Sequence, residues 1–278
     1  MPGPSPWSHS RSASVADDID FEIKGQELQF LEIELDPGES AVAEAGAFVW
    51  KDAAIEMTTV FGDGSADQGS GFMGKLLGAG KRLVTGESLF TTVFTHQGRG
   101  KARVAFASPT PGAILPIKLS DVGGTLICQK DSFLAAARGV SIGVHFQKRI
   151  MTGLFGGEGF IMQKLDGDGW VFVQMGGTLV ERELGPGEVL HVDTGCLAAF
   201  TQGVDFDLEL VRGVRSMFFG GEGAFFARLQ GPGKVWIQSL PFSRLAGRML
   251  AAAGGLGGQN RGEGSVLGGL GHFIGGNE

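Results

Sequence analysis

The chain has 278 residues, 42% hydrophobic and 19% charged, with a net charge of −7. That composition excludes a disordered chain, and the acidic balance argues against nucleic acid held over the whole molecular surface. Its 49 glycines show no third-residue period and come with only 10 prolines, which excludes collagen and points to many tight turns between short strands. No apolar run reaches the roughly 18 residues of a membrane span. Residues 1–20 contain no apolar core of a signal peptide, so a cytoplasmic protein is expected, with Cys128 and Cys196 as free buried thiols.

Residues 1–19 are rich in Ser, Pro and Asp without periodicity and read as a disordered leader. Residues 20–247 alternate short apolar runs with Gly, Pro and Asp, the punctuation of an all-β domain. Residues 248–278 read as a Gly-rich flexible tail.

The β domain repeats itself. Gly157 and Gly221 lie 64 residues apart, as do Gly169 and Gly233. Each unit carries a Gly-Glu pair (Glu87, Glu158, Glu222), an apolar strand, a Gly-x-Gly turn and a second apolar strand. After the turns, Val104, Val173 and Ile237 take the same place, and Arg103, Phe172 and Trp236 precede them. Leu35-Asp36-Pro37-Gly38-Glu39 and Leu184-Gly185-Pro186-Gly187-Glu188 mark another repeated turn, with a looser copy at Asp121-Val122-Gly123-Gly124-Thr125. The units span about 28–108, 113–176 and 177–241, the first lengthened around Phe61 to Gly80, with a short helix expected near Met73 to Lys81. Strands apolar on both faces suggest sheets packed on sheets around a pseudo-threefold axis.

Gly86-Glu87-Ser88-Leu89-Phe90, Pro111-Gly112-Ala113-Ile114, Phe133-Leu134-Ala135, Phe155-Gly156-Gly157-Glu158-Gly159, Gly187-Glu188-Val189-Leu190-His191-Val192-Asp193 and Gly231-Pro232-Gly233 together resemble a widespread uncharacterised bacterial family with a triplicated TRAP-like β-fold. (TRAP is the tryptophan RNA-binding attenuation protein.) That family is similar to eukaryotic proteins of mitochondrial biogenesis and inheritance. The resemblance covers about residues 21–245 and implies three shortened double-stranded β-helices. It implies no activity, substrate or catalytic residue.

Four patterns imitate chemistry. Gly139-Val140-Ser141-Ile142-Gly143 has nucleophile-elbow spacing, but Ser141 occupies the strand position that Asp205 fills in the third unit. Val192-Asp193-Thr194-Gly195 resembles half of an aspartic-protease site, which needs a second such carboxylate. Gly69-Ser70-Gly71-Phe72-Met73-Gly74-Lys75 has phosphate-loop spacing, but Leu76 stands where Ser or Thr should hold magnesium. His9, His96, His145, His191 and His272 are scattered without metal-ligand spacing. No catalytic residue, cofactor or metal site is therefore expected.

Basic residues precede each Gly-Glu, among them Arg82, Arg149 and Arg215, with Phe155 and Phe219 close by. One reading pairs Glu87, Glu158 and Glu222 with these arginines as structural ion pairs. The other makes the arginines and phenylalanines an anion or partner contact, such as an acidic membrane surface. Their uneven spacing favours the structural reading.

The sequence thus points to a non-enzymatic, self-associating β-scaffold or interaction protein. Its alternatives are a small-molecule-binding or enzymatic β-barrel, in which His145 or His191 would meet a carboxylate in a cavity, and an RNA- or acidic-lipid-binding protein.

Overall fold

Period-two patterning builds the sheets. In Phe30–Leu35, Leu31, Ile33 and Leu35 are fully buried on one face, as expected where successive side chains point to opposite sides. A computed structural model describes residues 16–61, 90–148, 160–210 and 225–254. Among them the chain is all-β apart from 3-10 turns and one short helix.

A first strand, β1 (Asp20–Lys24), precedes three runs of six. The first is β2 (Phe30–Leu35), β3 (Ser40–Glu44), β4 (Phe48–Lys51), β5 (Ile55–Phe61), β6 (Phe90–His96) and β7 (Ala102–Ala107). The second is β8 (Gly112–Lys118), β9 (Thr125–Gln129), β10 (Phe133–Ala137), β11 (Ser141–Lys148), β12 (Phe160–Asp166) and β13 (Trp170–Gly176). The third is β14 (Leu179–Leu184), β15 (Val189–Asp193), β16 (Leu197–Thr201), β17 (Asp205–Leu210), β18 (Phe225–Gln230) and β19 (Gly233–Gln238), followed by helix α1 (Phe242–Gly254).

These strands form four antiparallel sheets in the orders β1-β2-β7-β4, β5-β6-β3-β10-β13-β8, β11-β12-β9-β16-β19-β14 and β15-β18-β17. Within each run the sixth strand pairs with the first and third, and the fifth pairs with the second and fourth. Two cross-run pairings, β3 with β10 and β9 with β16, make the central sheets continuous. Among the described residues no pairing joins β15 to β4, so the strand order runs from the first sheet to the fourth without closing.

The repeated Pro-Gly-Glu turns are alike down to their hydrogen bonds. The Asp36 and Gly185 amides donate to Glu39 Oε2 and Glu188 Oε2 at 2.8 and 2.9 Å. The Gly38 and Gly187 amides donate to the carbonyls of His96 and Gly231. Both glycines sit at positive φ, 92° and 76°, where a β-carbon is strained. The motif is turn chemistry.

Two buried clusters form the core. One unites Leu31, Ile33, Phe94, Phe106, Leu126 and Phe172, bridging the first three sheets. The other unites Phe160, Leu197, Phe200, Leu208, Leu229 and Val235 between the third and fourth. Phe94 and Phe106 meet edge-on at 5.0 Å across the first pair of layers, and Phe206 meets Phe146 at 5.2 Å across the last. Fully burying a ring such as Phe94 or Phe106 stabilises by about 1.5–3 kcal/mol.

Three details differ from the sequence reading. By strand register Phe106, not Val104, corresponds to Val173 and Ile237, and Ala105, not Arg103, corresponds to Phe172 and Trp236. The longer β6–β7 turn absorbs that two-residue shift. The end of the expected leader is ordered: the Ala16 amide donates to Asp168 Oδ1 at 2.9 Å, and Ile19 is buried. Helix α1 spans the expected boundary between β domain and tail. Its amphipathic Phe-Ser-Arg-Leu-Ala-Gly-Arg-Met-Leu run lies between Pro241 and the glycines, and the glycines dominate composition there. The expected helix near Met73 to Lys81 lies outside the described residues.

Candidate functional site

The third strand of each run has a one-residue bulge, at Val49 in β4, Leu134 in β10 and Ala198 in β16. An extra residue of this kind bends a strand and re-aims its side chains. Leu134 and Ala198 are 0% exposed, whereas Val49 is 50% exposed. Phe48 is 38% exposed, while its counterparts Phe133 and Leu197 are buried. The second strand of each run behaves likewise. Val189 in β15 is 40% exposed, whereas Ser40 and Thr125 at the same register are buried.

The cause is topological. β10 and β16 each have a strand on both sides, but β4 pairs only with β7 among the described strands. β3 and β9 are likewise flanked on both sides, whereas among the described strands β15 pairs only with β18. Of the second and third strands of the three runs, β4 and β15 are therefore the ones left at a sheet edge among the described residues, and each of these two free edges carries exposed apolar side chains. Beside β4 lies an open cleft of about 350 Å³ lined by Leu28, Phe30, Val49, Trp50, Ala107 and Thr110. Its lining is mostly apolar.

Charged pairs lie beside β15 and across β1, β2 and β7 of the first sheet. Next to β15, His191 Nε2 lies 3.3 Å from Glu209 Oε2, and Arg228 reaches Glu209 and Asp205 at 3.6 and 3.8 Å. On the first sheet Lys24 Nζ donates to Glu32 Oε2 at 2.7 Å, and Arg103 meets Glu32 and Glu34 at 3.3 and 2.8 Å. The hydrogen bond from Lys101, seconded by Arg103, holds the Glu34 carboxyl below its ordinary range. Glu32 is buried beneath its cations, whereas the more exposed pairs add little stability.

The residues with catalytic spacing have structural places. Asp193 Oδ1 accepts from the Gly195 amide at 2.9 Å, capping the 3-10 turn, and Asp193 Oδ2 lies 3.6 Å from Arg244 of α1. Ser141 opens β11 opposite Asp166, as Asp205 opens β17 opposite Gln230. His96, His145 and His191 sit in three different sheets, on β6, β11 and β15. His96 is buried, and His145 and His191 face solvent. His191 does meet a carboxylate, but on an open sheet surface, and neither His145 nor His191 lines the cleft. Among the described residues no three of His, Cys, Asp and Glu cluster in a way that could hold a metal.

Arg82, Arg149, Arg215, Phe155, Phe219, Glu87, Glu158 and Glu222 lie outside the described residues, as does the phosphate-loop look-alike. The free edges were not singled out from sequence. Their signal was substitution by register: Lys51 stands where the interior strands have Ala136 and Phe200, and His191 where they have Val42 and Ile127.

A family model described as mitochondrial biogenesis AIM24 matches residues 21–240. An uncharacterized protein of Streptococcus pyogenes serotype M6 is 29% identical over 246 residues, 87% of this chain and 94% of its own length. A crystal structure of a Streptococcus pyogenes protein from a structural-genomics programme is similar with a TM-score of 0.65 at 25% identity. That likeness covers 84% of this chain and 99% of the other. No helix among the described residues is long and apolar enough to cross a membrane.

Proposed function

The chain belongs to the mitochondrial biogenesis AIM24 family, and from that premise we propose that it is a non-enzymatic, cytoplasmic β-scaffold that binds a protein partner through its free sheet edges. The observation that carries this reading is the contrast at equivalent strand positions: Val49 is half exposed, while Leu134 and Ala198 are sealed. Exposed apolar residues on an unpaired edge invite strand addition, in which main-chain hydrogen bonds supply affinity and side-chain pockets supply selectivity.

The scaffold consists of three TRAP-like units, about 28–108, 113–176 and 177–241. The threefold recurrence of the six-strand pairing scheme supports this division. Asp193 and Ser141 have structural partners, which favours a scaffold over an enzyme. Arg82, Arg149, Arg215, Phe155 and Phe219 remain a proposed anion or partner contact.

The test is capture from the source cytosol with the full chain and with Val49→Lys and Val189→Lys, two substitutions at exposed positions that leave the core intact. At least one partner should be retained by the natural chain and lost when both substitutions are combined. A partner seated on one edge alone is lost with the matching single variant, whereas a second copy, which either edge can hold, is lost only with the two together. An identical captured set for the natural chain and the doubly substituted chain would overturn the reading.

A further inference from the structure

We infer that the partner of the free β15 edge is the β4 edge of a second copy of this chain, in antiparallel register with His191 opposite Lys51. This rests on the reading that the free edges are the binding surface and goes further by naming the occupant.

The argument is continuity. The chain twice joins the second strand of one run to the third strand of the next. In the first junction Val42 pairs with Ala136 and Ala43 with Ala135. In the second Ile127 pairs with Phe200 and Cys128 with Ala199. Each junction fuses two three-stranded halves into a six-stranded sheet.

The chain ends supply the two halves of a third such junction. Among the described residues β15 is a second strand without its third-strand neighbour, and β4 is a third strand without its second-strand neighbour. Register follows from pairing within the runs. His191 lies opposite Arg228, as Ile127 lies opposite Lys164 and Val42 opposite Val93. Lys51 lies opposite Val104, as Ala136 lies opposite Val171 and Phe200 opposite Val235. The same junction therefore sets Lys51 against His191 and Trp50 against Val192.

The side chains suit this seam. Phe48 and Val49 on one edge and Val189 on the other would enter positions that are closed over at both internal junctions. Lys51 would arrive beside the His191–Glu209 pair, where a carboxylate is already within 3.3 Å of the imidazole. An edge lysine discourages indiscriminate pairing, and the Glu209 carboxylate, reaching the matching edge from β17 through His191, restores pairing to one partner. Because the two edges differ, the contact is head-to-tail and propagates into a ring or a filament.

The experiment uses the purified full chain carrying Lys51→Cys or His191→Cys. Cys128 and Cys196 are both buried, which keeps the background low. Under mild oxidation a mixture of the two variants should give a disulfide-linked pair. Each variant alone should not, and adding Val49→Lys should abolish the product. A chain carrying both cysteines should give a ladder of linked chains.

Self-linking of Lys51→Cys as readily as the mixture would overturn the proposal in favour of β4 meeting β4. Closure within a single doubly substituted chain would overturn it in favour of an intramolecular junction. No linkage in purified protein would also overturn it. If cytosolic partners are still lost with Val49→Lys and Val189→Lys combined in that case, the edge-binding reading survives; if capture is unchanged, both fall.

Discussion

At the residue scale, conformation decides more than chemistry. Gly38 has a φ of 92° and open space around its missing β-carbon, so Gly38→Ala isolates the cost of the left-handed backbone. A loss of about 1–2 kcal/mol is expected from that strain, read as a lower urea midpoint at unchanged slope. Gly143 also has open space but no positive φ, and Gly143→Ala should stay within about 0.5 kcal/mol of the natural chain. Equal effects at the two sites would contradict this account of the turn. Cysteine reactivity reads burial directly. Cys128 is fully enclosed, and burial pushes its thiol up to about 12. Burial and then Asp193 also raise Cys196, against the Arg244 cation. A thiol reagent should therefore label Cys196 before Cys128 in the folded chain and label both at once in denaturant. Prompt labelling of Cys128 would show that the seam between β9 and β16 is open.

At the scale of elements, pairing register organises the sheets, and cross-strand contacts trim them. Glu181 on β14 accepts from Lys234 Nζ at 2.7 Å and Trp236 Nε1 at 2.9 Å on β19. The lysine hydrogen bond, with the tryptophan behind it, lowers the carboxyl below its ordinary value. A group depressed in the fold contributes stability above its unfolded value and loses it as pH falls through the folded one. This pair is partly exposed, so its share is below about 1 kcal/mol. Glu181→Gln should lower the urea midpoint slightly at neutral pH and match the natural chain in acid. A larger deficit in acid would reverse the sign and refute the assignment.

Much of this level was legible in the sequence. The 64-residue spacing matches the structure at Ser141 and Asp205, which open equivalent strands opposite Asp166 and Gln230. The first run was harder to place, because its turn glycines align while the strand after them is displaced by two residues. Glycine marks where the chain bends, but register is set by partners that are distant in sequence. The helix at Phe242–Gly254 escaped for a related reason: a short amphipathic stretch was hidden by the glycine-rich composition around it.

At the scale of the molecule, three runs of strands are joined by two equivalent seams, with the halves of a third seam left at the ends. The residues of the free edges, Phe48, Val49, Lys51, Val189 and His191, were not legible as a site. Nothing in Phe48-Val-Trp-Lys marks it as an edge until it is laid against Phe133-Leu-Ala-Ala and Leu197-Ala-Ala-Phe, and the bulge offsets that comparison. The most direct test of the central claim is light scattering during size-exclusion chromatography across a range of concentrations. The account predicts assemblies at whole multiples of the 29.1 kDa chain, collapsing to single chains with Val49→Lys or Val189→Lys. A natural chain that elutes as a single copy at every concentration would contradict it.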